Sequence, residues 1–127
     1  MNHFLDIDLI DTKTIKNLLD TGHKLKAQSE TKYFDGEILA MIFEKPSTRT
    51  RISFEIGIKQ LNGDAVILDQ NDTQLGRGES IQDTIKVISK YANIILYRGT
   101  SEKRLKSIVD ASAVPIINGL TDKSHPC

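Results

Sequence analysis

Four short apolar runs, separated by stretches with helical periodicity, constrain this chain more than any other feature. They are Ile38-Leu39-Ala40-Met41-Ile42-Phe43, Ala65-Val66-Ile67-Leu68, Ile94-Ile95-Leu96-Tyr97 and Val114-Pro115-Ile116-Ile117. Continuous apolar runs of this length suit strands buried on both faces, the habit of parallel sheets. Between them, residues 48–61 carry Ile52 and Ile56 on one side and Phe54, Ile58 and Leu61 on another, with Gly63 as the expected stop. Ser80 is placed to cap a helix with the stripe Ile81, Ile85 and Ile88, and Asp83 completes a capping-box pattern. Residues 102–112 read as another helix. Ahead of the first strand, Ile15, Leu18, Leu19 and Leu25 predict a helix over 12–28, begun by Asp11 or Thr12, and a polar link over 29–36. Strands alternating with helices predict an α/β fold: a parallel sheet of about four strands, flanked by helices and joined by right-handed crossovers. Residues 118–122 are expected to lead away from the last strand.

The chain has 127 residues, the size of one domain. Lys plus Arg and Asp plus Glu both number 17, so no net field favours nucleic acid or a membrane surface. The single cysteine, Cys127, cannot form an internal disulfide, which suits a reducing compartment. No apolar run approaches the roughly 20 residues of a membrane span. The first residues, Met1 to Asp6, lack a signal-peptide layout. A soluble cytoplasmic protein is the expectation.

The chemistry gathers where the strands end. The first apolar run leads through Glu44-Lys45-Pro46 into Ser47-Thr48-Arg49-Thr50-Arg51, which opens a helix. A helix N-terminus has free backbone N–H groups and a partial positive charge, and therefore suits an anion. Capping by Ser47 alone would not call for two arginines, so a small phosphorylated ligand is the leading reading. In an open parallel sheet, ligands bind beyond the carboxyl ends of the strands. The other ends carry the loop 69–79 with Gln74, Arg77 and Glu79, then Arg98, then Asn118, Asp122 and His125. Gly76-Arg77-Gly78 lacks the third glycine of a dinucleotide fingerprint and reads as loop flexibility. His3 and His23 have no clustered partners and receive no role. No His, Cys, Asp and Glu set has metal-ligand spacing, and Ser47 has no paired base for covalent catalysis.

These blocks resemble the aspartate/ornithine carbamoyltransferases. The resemblance rests on Phe43-Glu44-Lys45-Pro46-Ser47-Thr48-Arg49-Thr50-Arg51, Gln74-Leu75-Gly76-Arg77-Gly78-Glu79-Ser80-Ile81, Tyr97-Arg98-Gly99, and Asn118-Gly119-Leu120-Thr121-Asp122 with His125-Pro126-Cys127. The Phe-Glu-Lys-Pro lead-in and the His-Pro-Cys ending are similar to the ornithine branch; the aspartate branch more usually has Phe-Phe-Glu-Pro and His-Pro-Thr. The resemblance implies the carbamoyl-phosphate half of a two-domain transferase of arginine metabolism. Such an enzyme passes a carbamoyl group to the δ-amine of ornithine, giving citrulline and phosphate. Ser47, Thr48, Arg49 and Thr50 would hold the phosphate, while Thr50, Arg98 and His125 would contact the carbamoyl oxygen. Arg51 would be structural. The family implies a homotrimer in which Gln74 reaches a neighbour's site. It implies no cofactor and no metal.

The family's amino-acid-binding domain has no counterpart in this sequence, so the chain is expected to be part of a longer protein and to make no citrulline alone. Two alternatives stand beside this reading. One is a putrescine or aspartate carbamoyltransferase domain, and the other a non-catalytic phosphate-binding or trimerising module.

Overall fold

The computed structural model describes residues 1–28, 32–69 and 80–127. The predicted α/β architecture is present. Strands β1 (Ile38–Phe43), β2 (Asp64–Asp69), β3 (Ile94–Arg98) and β4 (Ile116–Leu120) form one parallel sheet in the order β2-β1-β3-β4. Helices α1 (Thr12–Ala27), α2 (Thr48–Gln60), α3 (Ile81–Ile88) and α4 (Glu102–Ala111) surround it. Successive strand residues point to opposite faces, which divides the core. Ala40, Ile42, Ile95, Tyr97 and Ile116 pack with Ile81 and Ile85 of α3 and Leu105 and Ile108 of α4. Leu39, Met41, Phe43 and Leu96 pack with Ile58 of α2. Among the described residues, α2 is covered on its Ile58 face, while Ile52 and Ile56 stay half exposed. No helix among the described residues is long and apolar enough to cross a membrane.

The strand order fixes where a ligand can enter. From β1 the chain moves outward to β2, then returns past β1 to β3. The crevice at such a reversal opens beyond the carboxyl ends of the two central strands. The segments leaving β1 and β3 therefore flank one crevice, and they are the segments that carry Ser47 to Thr50 and Arg98.

Local signals explain most element ends. Asp11 caps α1 by accepting from the Thr14 N–H at 2.9 Å and the Thr14 hydroxyl at 2.7 Å. Ser80 caps α3 by accepting from the Asp83 N–H at 3.1 Å. The end of α2 departs from expectation. Asn62, not Gly63, takes the left-handed backbone conformation, with φ 66°. Gly63 is needed for space instead: a Cβ there would sit 2.9 Å from Ile58 Cγ1 and 3.1 Å from the Glu37 carbonyl.

The last strand is the main correction. It begins at Ile116 rather than Val114 and runs through Asn118 and Gly119 to Leu120. Pro115 has no N–H to give a ladder, and its carbonyl accepts from Ile95 N at 3.0 Å as the strand begins. Asn118 can enter the core because its side chain is fully paired. Its amide donates to the Leu5 carbonyl at 3.0 Å and Ser124 Oγ at 2.9 Å, and its oxygen accepts from Leu120 N at 3.0 Å. The N-terminal segment adds a short parallel bridge to β4 at Phe4–Ile117. There His3, which had no role on sequence grounds, accepts the Ile116 N–H on Nδ1 at 3.0 Å.

Candidate functional site

Helix α2 starts at the end of the sheet because Ser47, in extended conformation, accepts from the Thr50 N–H at 3.2 Å. The N–H groups of Thr48 and Arg49 in the same turn have no acceptor within the helix. Thr48 and Arg49 are exposed, whereas Thr50 is buried. Arg98, the last residue of β3, reaches this turn: its Nη1 donates to Thr50 Oγ1 at 3.0 Å and to the Gly119 carbonyl at 3.3 Å. A cleft of about 460 Å³ opens here, lined by Pro46, Ser47, Thr48, Arg49, Thr50, Arg98 and His125. Among these lining residues are two guanidiniums and no carboxylate. Arg98 Nε is buried and has no hydrogen-bond partner among the described residues, so Arg98 keeps unused donor capacity beside the cleft.

Six residues singled out from sequence thus meet at one cleft, although Thr50 and Arg98 lie 48 positions apart. Gln74, Arg77 and Glu79 lie outside the described residues. Asn118 and Asp122, expected beside the ligand from their place after the last strand, do not line the cleft. Asn118 is a fully buried strand residue, and Asp122 accepts the Glu102 N–H at 3.0 Å at the start of α4. Arg51 faces a neighbouring cleft with Lys45 and Asp69 and stands 3.9 Å from Glu55. Among the described residues, no His, Cys, Asp and Glu group could hold a metal ion.

Two supporting clusters escaped the sequence. In the first, Glu44 Oε1 accepts from the Tyr97 hydroxyl at 2.5 Å and from Arg104 Nε at 2.6 Å. Burial, then the Glu44 hydrogen bond and charge, hold the Tyr97 hydroxyl well above its ordinary value. The hydrogen bond to Glu44 likewise raises Arg104. Glu44 N also donates to the Arg98 carbonyl at 2.8 Å, so this cluster ties the end of β1 to the end of β3. Gly99 belongs to it, since a Cβ there would overlap the Tyr97 hydroxyl and ring. In the second, Glu102, Thr121 and Ser124 bind one another next to His125. Opposite charges on Glu44 and Arg104 were visible as residues, but their pairing spans 60 positions and no local spacing announces it.

An open parallel sheet with a cationic, hydroxyl-rich cleft at its strand-order reversal defines the class: an α/β domain arranged to take a small anion at the carboxyl edge. The chain belongs to the aspartate/ornithine carbamoyltransferase family, and residues 2–127 match the model of that family's carbamoyl-P binding domain. Ornithine carbamoyltransferase of Mesorhizobium japonicum is 44% identical over 131 residues, spanning 100% of this chain and 43% of that protein. The corresponding protein of Rhodopseudomonas palustris is 45% identical over 134 residues, spanning 98% and 43%. Among solved structures, ornithine carbamoyltransferase from Pyrococcus furiosus superposes with a TM-score of 0.94 at 39% identity, covering 99% of this chain and 42% of that one. The catalytic subunit of M. jannaschii aspartate transcarbamoylase gives 0.88 at 38% identity, covering 99% and 43%. The chain therefore spans less than half the length of the relatives it matches.

Proposed function

We propose that this chain is the carbamoyl-phosphate half of an ornithine carbamoyltransferase, with the ornithine site on a second domain. The observation that carries the reading is Arg98, held by Thr50 Oγ1 and the Gly119 carbonyl beside the α2 N-terminus. A phosphate at that N-terminus meets the Thr48 and Arg49 N–H groups and the Arg49 fork, which can bond two oxygens at once. A carbonyl attached to the phosphate then falls between Thr50, Arg98 and His125. Thr50 Oγ1 accepts from Arg98, so its own proton stays available for donation.

The reaction forms a bond from the ornithine δ-nitrogen to the carbamoyl carbon. Negative charge collects on the carbamoyl oxygen as it does so. The carbon–oxygen bond to phosphate then breaks, and phosphate leaves with the electron pair and can take the proton released by the amine. Donors fixed around that oxygen favour the transition state over the ground state. Neither a metal nor a cofactor is needed for these steps. The enzyme works as a cytoplasmic homotrimer, with Gln74 of one subunit completing its neighbour's site. The identities to ornithine carbamoyltransferases support this acceptor over putrescine or aspartate.

The test is an assay of the two-domain protein with ornithine, putrescine and aspartate in turn, comparing wild type with His125→Ala. Ornithine-saturable citrulline formation is expected, depressed about 10²–10³-fold by the substitution. Carbamoylation of another amine alone would overturn the acceptor, and unchanged turnover would remove His125 from catalysis. Inactive Arg49 and Gln74 variants should restore activity when their subunits are mixed; failure despite subunit exchange would place each site within one chain.

A further inference from the structure

We propose that Glu102 is a positioning residue for His125: its carboxylate fixes the turn over residues 121–124 that delivers the imidazole to the cleft. The proposal rests on the reading of the cleft given above. Thr121 is buried, and its Oγ1 is approached by the N–H groups of Lys123 at 3.3 Å and Ser124 at 3.2 Å. With its lone pairs engaged, the hydroxyl directs its proton to Glu102 Oε1 at 2.6 Å. Ser124 Oγ already accepts from the Asn118 amide at 2.9 Å and offers its proton to the same Glu102 oxygen at 3.2 Å. One carboxylate oxygen therefore gathers the hydroxyls at both ends of the turn, and His125 is the next residue. The latch is reciprocal, because the Glu102 N–H donates to Asp122 within the turn at 3.0 Å.

The other side of the segment is tied to Arg98. Arg98 Nη1 donates to the Gly119 carbonyl, and Gly99 N donates to the Leu120 carbonyl at 2.9 Å. The chain is thus pinned to the end of β3 at 119–120 and to the start of α4 at 121–124. Those two anchors set the separation of Arg98 and His125 across the cleft. Hydrogen bonds to a charged acceptor are stronger than neutral ones, which suits a carboxylate to this duty. A side chain that holds a reacting group through its neighbours governs geometry without touching the ligand.

The experiment uses the two-domain protein, with no amine present. Two probes are titrated calorimetrically: inorganic phosphate, and phosphonoacetamide as a stable phosphonate bearing a carbamoyl-like carbonyl. Glu102→Ala should weaken phosphonoacetamide by about 2–10-fold, the worth of one misplaced hydrogen bond, and leave phosphate unchanged. Glu102→Gln, which keeps an oxygen acceptor, should recover most of the loss. Glu102→Ala added to His125→Ala should cost nothing further, and the His125 ring resonances should shift in Glu102→Ala. Equal weakening of both probes, an additive loss in the double variant, or unmoved His125 resonances would overturn the positioning role. A wild-type chain that binds phosphonoacetamide no better than phosphate would instead overturn the carbamoyl reading. The His125 resonances alone would then decide for or against Glu102.

Discussion

The two turns that border the cleft are built in opposite ways. Among the described residues, the turn leaving β1, over residues 46–50, is held by the Thr50 N–H bond to Ser47 Oγ and by Arg98 at Thr50 Oγ1, and it leaves Thr48 and Arg49 exposed. The end of β4 and the turn that leaves it, over residues 118–125, engage Asn118, Thr121, Asp122 and Ser124 with the protein itself. Uncommitted donors at a helix N-terminus are what an arriving anion requires. Fully paired polar groups are what a rigid support requires. The difference teaches that one border keeps free donors, as the proposed function asks of a binding turn, while the other is committed to holding position. Substitutions in the two borders should therefore fail in different measurements.

The largest effect is expected on the holding side, at the end of β4. Asn118→Ala removes the acceptor of the Leu120 N–H and the amide donor to the Leu5 carbonyl and Ser124. Each buried group left unsatisfied costs about 1–3 kcal/mol, so stability in urea should fall more than for any single change in residues 46–50. A stability equal to wild type would show that this turn is held by something other than its hydrogen bonds. In the binding turn, Arg49→Ala should leave urea unfolding unchanged while removing a charge-assisted contact worth about 1.5–3 kcal/mol of ligand affinity. Calorimetric titration with phosphate checks this, and a folding defect without an affinity loss would erase the contrast between the turns.

Gly99→Ala tests the brace behind both borders. The new methyl overlaps the Tyr97 hydroxyl, which Glu44 holds. Overpacking of this kind costs about 1–3 kcal/mol, and the tyrosine fluorescence should report displacement of Tyr97. An unperturbed spectrum with full stability would show that the brace has room to give.

The smallest effect concerns pH. His3 accepts the Ile116 N–H on Nδ1, and burial, then the nearby N-terminal charge, lowers its affinity for protons from the ordinary value of 6.5. The unfolded chain therefore takes up a proton before the folded one does. The contribution of His3 is fully present above pH 6.5, declines as pH falls toward the lowered folded value, and is level below it. The stability gap between wild type and His3→Ala should narrow between pH 7.5 and 5. A gap that widens on acidification would reverse the assignment.

Local patterns carry the parts of this molecule that depend on near neighbours in the chain. The apolar runs gave the sheet, the helical stripes gave its cover, and Ser47 and Ser80 marked helix starts, because propensity, periodicity and capping act over a few residues. The parallel arrangement followed from the same alternation, and with it the edge at which Arg98 and His125 would join the Ser47 turn. Residues whose duty depends on a distant partner were illegible. Asn118 resembled a loop residue because the groups that pair it in the core include the Leu5 carbonyl, 113 positions away. Glu44 with Arg104, and Glu102 with Thr121, are brought together only once β1, β3, β4 and α4 are registered against one another. The sequence by itself determined which groups could bind an anion and at which edge they would stand. Tertiary structure alone decided which polar residues line the cleft and which support it, because a side chain's duty depends on what fills its hydrogen bonds, and those partners come from elements far apart in the chain.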